Sequence, residues 1–128
     1  MQGSLMPDRL NQVVSSEPSL GTPHAHYEKV ITDGSLGAAT TYDINCPNLP
    51  TGVKSITISG YFTCNTTGGC IVTENTAGNS YRYDFVQAAG NQGGLGCDVV
   101  VNADKKVRLV TGVGSYTGIN TWITQYHI

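Results

Sequence analysis

The chain has 128 residues, enough for one domain whose core can bury roughly two thirds of the surface the unfolded chain exposes. Charged residues make up only 12% of it, against roughly 25% in soluble domains generally, and a net charge of -2 argues against the basic stripe that nucleic-acid binding requires. No run approaches the ~18 apolar residues of a membrane-spanning helix, so no membrane partner is expected, and the surface must be built from Thr, Asn, Ser and Gly.

Residues 1–27 hold Pro7, Pro18 and Pro23 and little periodic apolar content, the signature of an extended N-terminal arm. Within it, residues 8–14 have the spacing for one or two helical turns, with Leu10, Val13 and Val14 on one side. An arm of this composition cannot order itself, so Leu5, Leu10, Val13 and Val14 are candidate contacts to a partner chain. Pro7, Asp8 and Arg9 stand where a signal peptide would need an apolar core, which points to synthesis without export.

From residue 28 to 128 the chain reads as eight short β-runs: 28–32, 40–45, 53–63, 69–74, 80–87, 97–102, 105–111 and 119–127. In the third, Ile56, Ile58, Gly60 and Phe62 alternate with Thr57, Ser59 and Tyr61, which predicts one buried and one solvent face. Breakers such as Asp33-Gly34, Ala77-Gly78-Asn79 and the glycine-rich 90–96 separate the runs. The last run places Trp122, Ile123, Tyr126 and Ile128 at the end of the chain, so it is expected to be central or to lie at a subunit interface, with Trp122 and Tyr126 as candidate partner contacts. The pattern predicts an all-β, two-sheet antiparallel sandwich, a jelly roll of about eight strands. An immunoglobulin-like sandwich fits less well, because Trp122 follows every cysteine instead of lying between a pair.

Chemical motifs are sparse. His24 and His26, two apart on an extended segment, project to one side and are the candidate metal ligands, although their position in the arm favours a polar role without metal. Asp43, Glu74, Asp84, Asp98 and Asp104 lie on separate runs, no Gly-x-Ser-x-Gly elbow is present, and the loop 90–96 lacks the Lys-Ser/Thr of a phosphate loop. No catalytic residue and no cofactor are therefore expected. Lys105, Lys106 and Arg108 read as a solvated strand start, and His127 as a solvent or interface residue. Cys46, Cys64, Cys70 and Cys97 allow three pairings, with Cys64 and Cys70 flanking a turn, but without an export pattern they read as small buried or half-buried thiols. Seven tyrosines are the most suggestive feature; Tyr81 and Tyr83 share one face of their run while Arg82, Asp84 and Val86 share the other. Such aromatics serve either a sugar ring or a protein interface, and the interface is the preferred reading.

With its arm, its eight strands, its low charge and its apolar terminal run 118–128, the chain resembles small tailed-phage virion proteins, namely capsid cement or decoration proteins and the head domains of short fibres. The His24-Ala25-His26 triplet is also similar to the HxH of trimeric phage fibre and spike tips. The resemblance implies a structural protein of the virion, assembled in the host cytoplasm as a homotrimer and attached to the major capsid protein or other virion proteins. The alternative it implies is a receptor-binding fibre head or lectin-like module that contacts host glycans through loops 65–69, 90–96 and 112–118.

Overall fold

A computed structural model describes residues 21–128. The arm candidates Leu5, Leu10, Val13 and Val14, and the helical turns expected at 8–14, lie outside the described residues. The strands are β1 (Pro23–Leu36), β2 (Thr41–Asn45), β3 (Ser55–Cys64), β4 (Cys70–Asn75), β5 (Ser80–Phe85), β6 (Gln92–Val100), β7 (Lys106–Thr111) and β8 (Tyr116–His127). They form two four-stranded antiparallel sheets, ordered β1-β8-β3-β6 and β2-β7-β4-β5. Pairing is nested, β1 with β8, β2 with β7, β3 with β6 and β4 with β5, the connectivity of a jelly roll. The strand β8 lies inside its sheet between β1 and β3, as its apolar sequence requires.

Alternation puts one face of each sheet into a common core. Ile56, Ile58 and Phe62 of β3 meet Ile71 of β4, Val99 of β6, Val107 and Leu109 of β7, and Ile119 and Ile123 of β8, all essentially without solvent contact. Each such side chain contributes about 1.5–3 kcal/mol by leaving water. Tyr116 is buried among them, its ring centroid 5.9 Å from that of Phe62. Its hydroxyl donates to the Val113 carbonyl at 2.7 Å and accepts the Cys70 N–H at 2.8 Å, tying the start of β8 to the start of β4 in the opposite sheet. Burial pushes the Tyr116 phenol above its ordinary pKa, so it stays a donor.

Three strands differ from the sequence reading, the smallest departure being β8, which begins at Tyr116 instead of 119 and so takes in the end of the expected loop 112–118. β1 is 14 residues long, begins inside the expected arm and continues through Asp33-Gly34. There the strand bulges instead of ending: Asp33 takes a φ of 46°, and its N–H is held by Asn120 Oδ1 at 3.1 Å. β6 likewise takes in most of the glycine-rich segment expected as a loop, in unbroken register with β3 from Thr63↔Gln92 to Ser55↔Val100. The glycines here make room: a Cβ on Gly93 would press on the Phe62 ring.

The open side of the sandwich between β5 and β6 is closed by Arg82. Its Nε donates to Asp84 Oδ1 at 2.6 Å and its Nη1 to the Gly96 carbonyl on β6 at 2.6 Å. The opposite side, between β1 and β2, keeps an apolar cleft of about 160 Å³ lined by Ile31, Gly34, Ser35, Leu36, Tyr42 and Ile119. That is below the roughly 300–1,000 Å³ of small-molecule pockets.

Gly60 in the middle of β3 is the tightest backbone contact of the central strands. A Cβ there would overlap the Asn120 carbonyl oxygen and come within 3.0 Å of Thr121 Cα on β8. Gly60→Ala is expected to lower folding stability by about 3 kcal/mol through this overpacking. At Gly94, where an added Cβ meets nothing within 4 Å, the same change is expected to stay within about 0.5 kcal/mol of the parent. Urea unfolding of the two variants checks both values.

Candidate interaction surfaces

The outer face of β2-β7-β4-β5 divides into a charged row and an apolar patch. Asp43, Arg108 and Glu74 line up across β2, β7 and β4. The Arg108 guanidinium lies 2.9 Å from the Asp43 carboxylate and 3.8 Å from that of Glu74. The neighbouring row runs Thr41–Val110–Val72–Tyr83, and beyond it Cys70 faces Phe85. Tyr83 and Phe85 on the edge strand β5 are each 59% exposed, with Tyr81 beside them at 37%. The sequence placed Tyr81 and Tyr83 on one face, and the structure does the same; Asp84 and Val86 point into the core. Phe85 was missed, although its parity with the two tyrosines was readable.

The outer face of β1-β8-β3-β6 points the other way. Trp122 of β8 is half-buried there, opposite Ser59 of β3 on one side and Lys29 of β1 on the other. Lys29 Nζ lies 4.9 Å from the Trp122 ring centroid, and Tyr61 packs 5.8 Å from Trp122 while remaining 38% exposed. Tyr61 stands opposite Gly94 and Ser59 opposite Gly96, so the β6 side of this aromatic pair is a shallow trough with a backbone floor. At one end of it, Thr57 Oγ1 donates to Asp98 Oδ1 at 2.6 Å, with Gln125 Oε1 3.4 Å away.

Trp122 and Tyr126, paired in the sequence reading, lie on opposite faces of β8. The register steps from Thr57↔Gln125 to Ile58↔Ile123, so Thr124 is a bulge that turns Tyr126 inward, opposite the buried Ile56. There it meets both arm histidines. His24 stacks on Tyr126 at 5.1 Å with a 13° interplanar angle, and His26 meets the ring edge-on at 5.7 Å. His26 Nε2 also lies 2.9 Å from Glu28 Oε1, and the other Glu28 oxygen accepts Asn48 Nδ2 at 2.7 Å. The two imidazoles thus bracket a phenol, and no group of three or more potential ligands for a metal occurs among the described residues. His127 is buried instead of exposed, with its Nδ1 3.0 Å from Ser55 Oγ.

Two members of the basic cluster are engaged internally, while Lys106 lies on the outer face of β7 beside Arg108. Lys105 Nζ donates to the Leu49 carbonyl at 3.0 Å, and Arg108 serves the charged row. Asp84 is held by Arg82 and Asp98 by Thr57, whereas Asp43 and Glu74, on separate runs in the sequence, converge on Arg108. All four cysteines are free thiols. Cys64 Sγ packs under Gly69 and Gly114 and Cys70 Sγ near Gly112. Burial pushes the Cys46 thiol from 9.0 up to about 12, helped by the nearby Glu28 carboxylate; burial pushes that of Cys97 up to about 11, with Asp84 adding to it. Iodoacetamide at pH 8 is therefore expected to label Cys46 and Cys97 about 100-fold or more slowly than in the urea-unfolded chain, as read by peptide mass spectrometry. The same thiols ionise near 9 once unfolded, so their contribution to stability is whole below pH 9 and is lost as pH rises from there through about 11–12; urea midpoints at pH 8 and 10 check the sign.

The structure thus offers two exposed aromatic faces turned away from each other, and each was partly visible in the sequence. Lys29 beside Trp122 could not be read there, since its place follows only from the β1–β8 register. No protein-family model matches this chain, and neither does any curated protein.

Proposed function

We propose that the protein is a virion structural component, a capsid cement or decoration protein that attaches to the major capsid protein or other virion proteins and stabilises the shell. The observation that carries this reading is the Tyr83–Phe85 patch. Two large aromatics more than half exposed, side by side on a sheet face where Arg108 is already paired with Asp43 and Glu74, suit burial against protein. Complete burial of either ring would contribute on the order of 2 kcal/mol. Such a modest patch becomes effective when a second attachment, supplied by the N-terminal segment, makes the contact intramolecular, or when several copies act together. Binding only to the assembled shell then stabilises it by linkage. Jelly rolls serve both capsid and lectin domains, so the fold accommodates this role without deciding it.

The test is co-sedimentation of the protein with particles that carry it. Tyr83→Ser combined with Phe85→Ser is expected to weaken attachment at least tenfold with little change in the unfolding midpoint. Deletion of residues 1–20 is expected to have a comparable effect while leaving β1 whole, whereas deletion of 1–27 would also remove the strand residues that hold Tyr126. Undiminished attachment of both the double variant and the 1–20 deletion would overturn the proposal.

A further inference from the structure

We infer that the N-terminal segment is anchored on its own domain, with Leu20 seated in an apolar groove at the end of the sandwich where the chain enters β1. The inference concerns the root of that segment, not what residues 1–19 go on to contact, so it stands apart from the attachment role.

The groove lies between the β2–β3 and β6–β7 connections. Pro50, Gly52, Val53, Val101 and Ala103 make its walls, and its volume is about 230 Å³. That falls short of the roughly 300–1,000 Å³ of small-molecule sites and suits an aliphatic side chain. Val53 and Val101 continue from it into the core. The polar groups at its rim are engaged within the protein. Asn102 Nδ2 donates to Thr76 Oγ1 at 2.9 Å, Lys105 Nζ donates to the Leu49 carbonyl at 3.0 Å, and the adjoining Asp104 Oδ1 accepts the Lys106 N–H at 3.3 Å. An apolar occupant therefore strands no polar partner, and charge plays no part in choosing it.

The place where the chain enters chooses which apolar group it is. Thr22 closes the β1–β8 ladder by exchanging both backbone hydrogen bonds with Ile128, at 2.7 and 3.0 Å. Gly21 then takes a φ of 95°, a left-handed turn out of the strand that favours glycine. It lies so close over Ile128 that a Cβ there would come within 2.8 Å of the Ile128 nitrogen. The side chain of the same Ile128 reaches the groove, with its Cδ1 4.0 Å from where a Cβ on Gly52 would stand. Ile128 thus bridges the chain entry and the groove wall, and it is still 39% exposed, so a side chain laid across it buries further apolar surface.

Twenty residues precede Gly21, and Leu20 is the aliphatic residue directly joined to it. A group tethered this closely has an effective concentration in the millimolar range or above, which the same residue on a second copy would have to match by affinity alone. The other apolar cleft, beside Gly34 and Leu36, is at the far end of β1 and beyond the reach of Leu20. Seating Leu20 gives the segment a fixed root, so the fold sets the point from which it departs.

NMR on the full chain tests the seat. Methyl NOEs from Leu20 to Val53 or Val101 are expected in the isotope-labelled protein. They are expected to be absent from the filtered spectrum of a labelled and unlabelled mixture, which records contacts between chains alone. NOEs in the filtered spectrum would assign the groove to a second copy, and their absence from both spectra would leave it without Leu20; either result overturns the inference. By urea unfolding, Leu20→Ser is expected to lower the folded-to-unfolded ratio about tenfold, and Leu10→Ser to change it less than about twofold. Ala103→Phe, which fills the groove from its wall, is expected to make Leu20→Ser nearly neutral. An effect of Leu20→Ser no larger than that of Leu10→Ser, or undiminished beside Ala103→Phe, overturns the inference as well. None of these readouts involves a particle, so failure here and failure of the attachment role are told apart.

Discussion

The rest of the structure depends on the seating of β8 between β1 and β3. Antiparallel nesting brings the last strand back beside the first, so β8 hydrogen-bonds on both edges and carries Tyr116, Ile119 and Ile123 into the core. Gly60 lets β3 come close enough to the Asn120–Thr121 backbone for that seat to form, and the Tyr116 hydroxyl locks its start to the other sheet. The Thr124 bulge then decides where its aromatic side chains go, Trp122 outward and Tyr126 inward. Both faces of the sheet thereby inherit their chemistry from one strand. Much of its pairing is long-range in sequence, which predisposes such a fold to slow assembly.

The fold was legible because its code is local. The alternation of Ile56, Ile58 and Phe62 with Thr57, Ser59 and Tyr61 survives intact as core and surface, and the breakers at 77–79 and 112–118 do separate strands, although β8 already begins at Tyr116 within the latter. Where the reading departed from the structure, a residue had two physical uses. Asp33-Gly34 serves a turn in most sequences, but here it makes a bulge that Asn120 satisfies from a neighbouring strand. Glycines at 93, 94 and 96 suggested a loop, yet one of them accommodates the Phe62 ring and the other two lie in register with β3. No local rule distinguishes these cases, because the deciding partner lies some 30 to 90 residues away in the sequence.

The surfaces were legible in part. Parity along β5 sorts Tyr81 and Tyr83 from Asp84 and Val86 without any tertiary information. The same parity misleads on β8, since Trp122 and Tyr126 should share a face in an ideal strand and a single inserted residue separates them. The histidines follow the same logic. Their spacing correctly aims them to one side, but what they meet there, a tyrosine ring brought in by the bulge, depends on pairing.

The scarcity of charge connects these observations. A sandwich with so few charged groups, in which Arg82 pairs with Asp84 on β5 and Arg108 with Asp43 and Glu74, has little long-range field with which to attract a partner. Recognition on such a surface must come from short-range contact, and the aromatic residues left exposed are where contact is available. One patch has Arg108 paired with Asp43 and Glu74 beside it, which suits burial against another neutral surface. The other has an aromatic pair, Trp122 with Tyr61, beside bare backbone at Gly94 and Gly96. Because the two faces belong to opposite sheets, occupation of one leaves the other open, and a single small domain can be held to a particle on one side while presenting a different chemistry on the other.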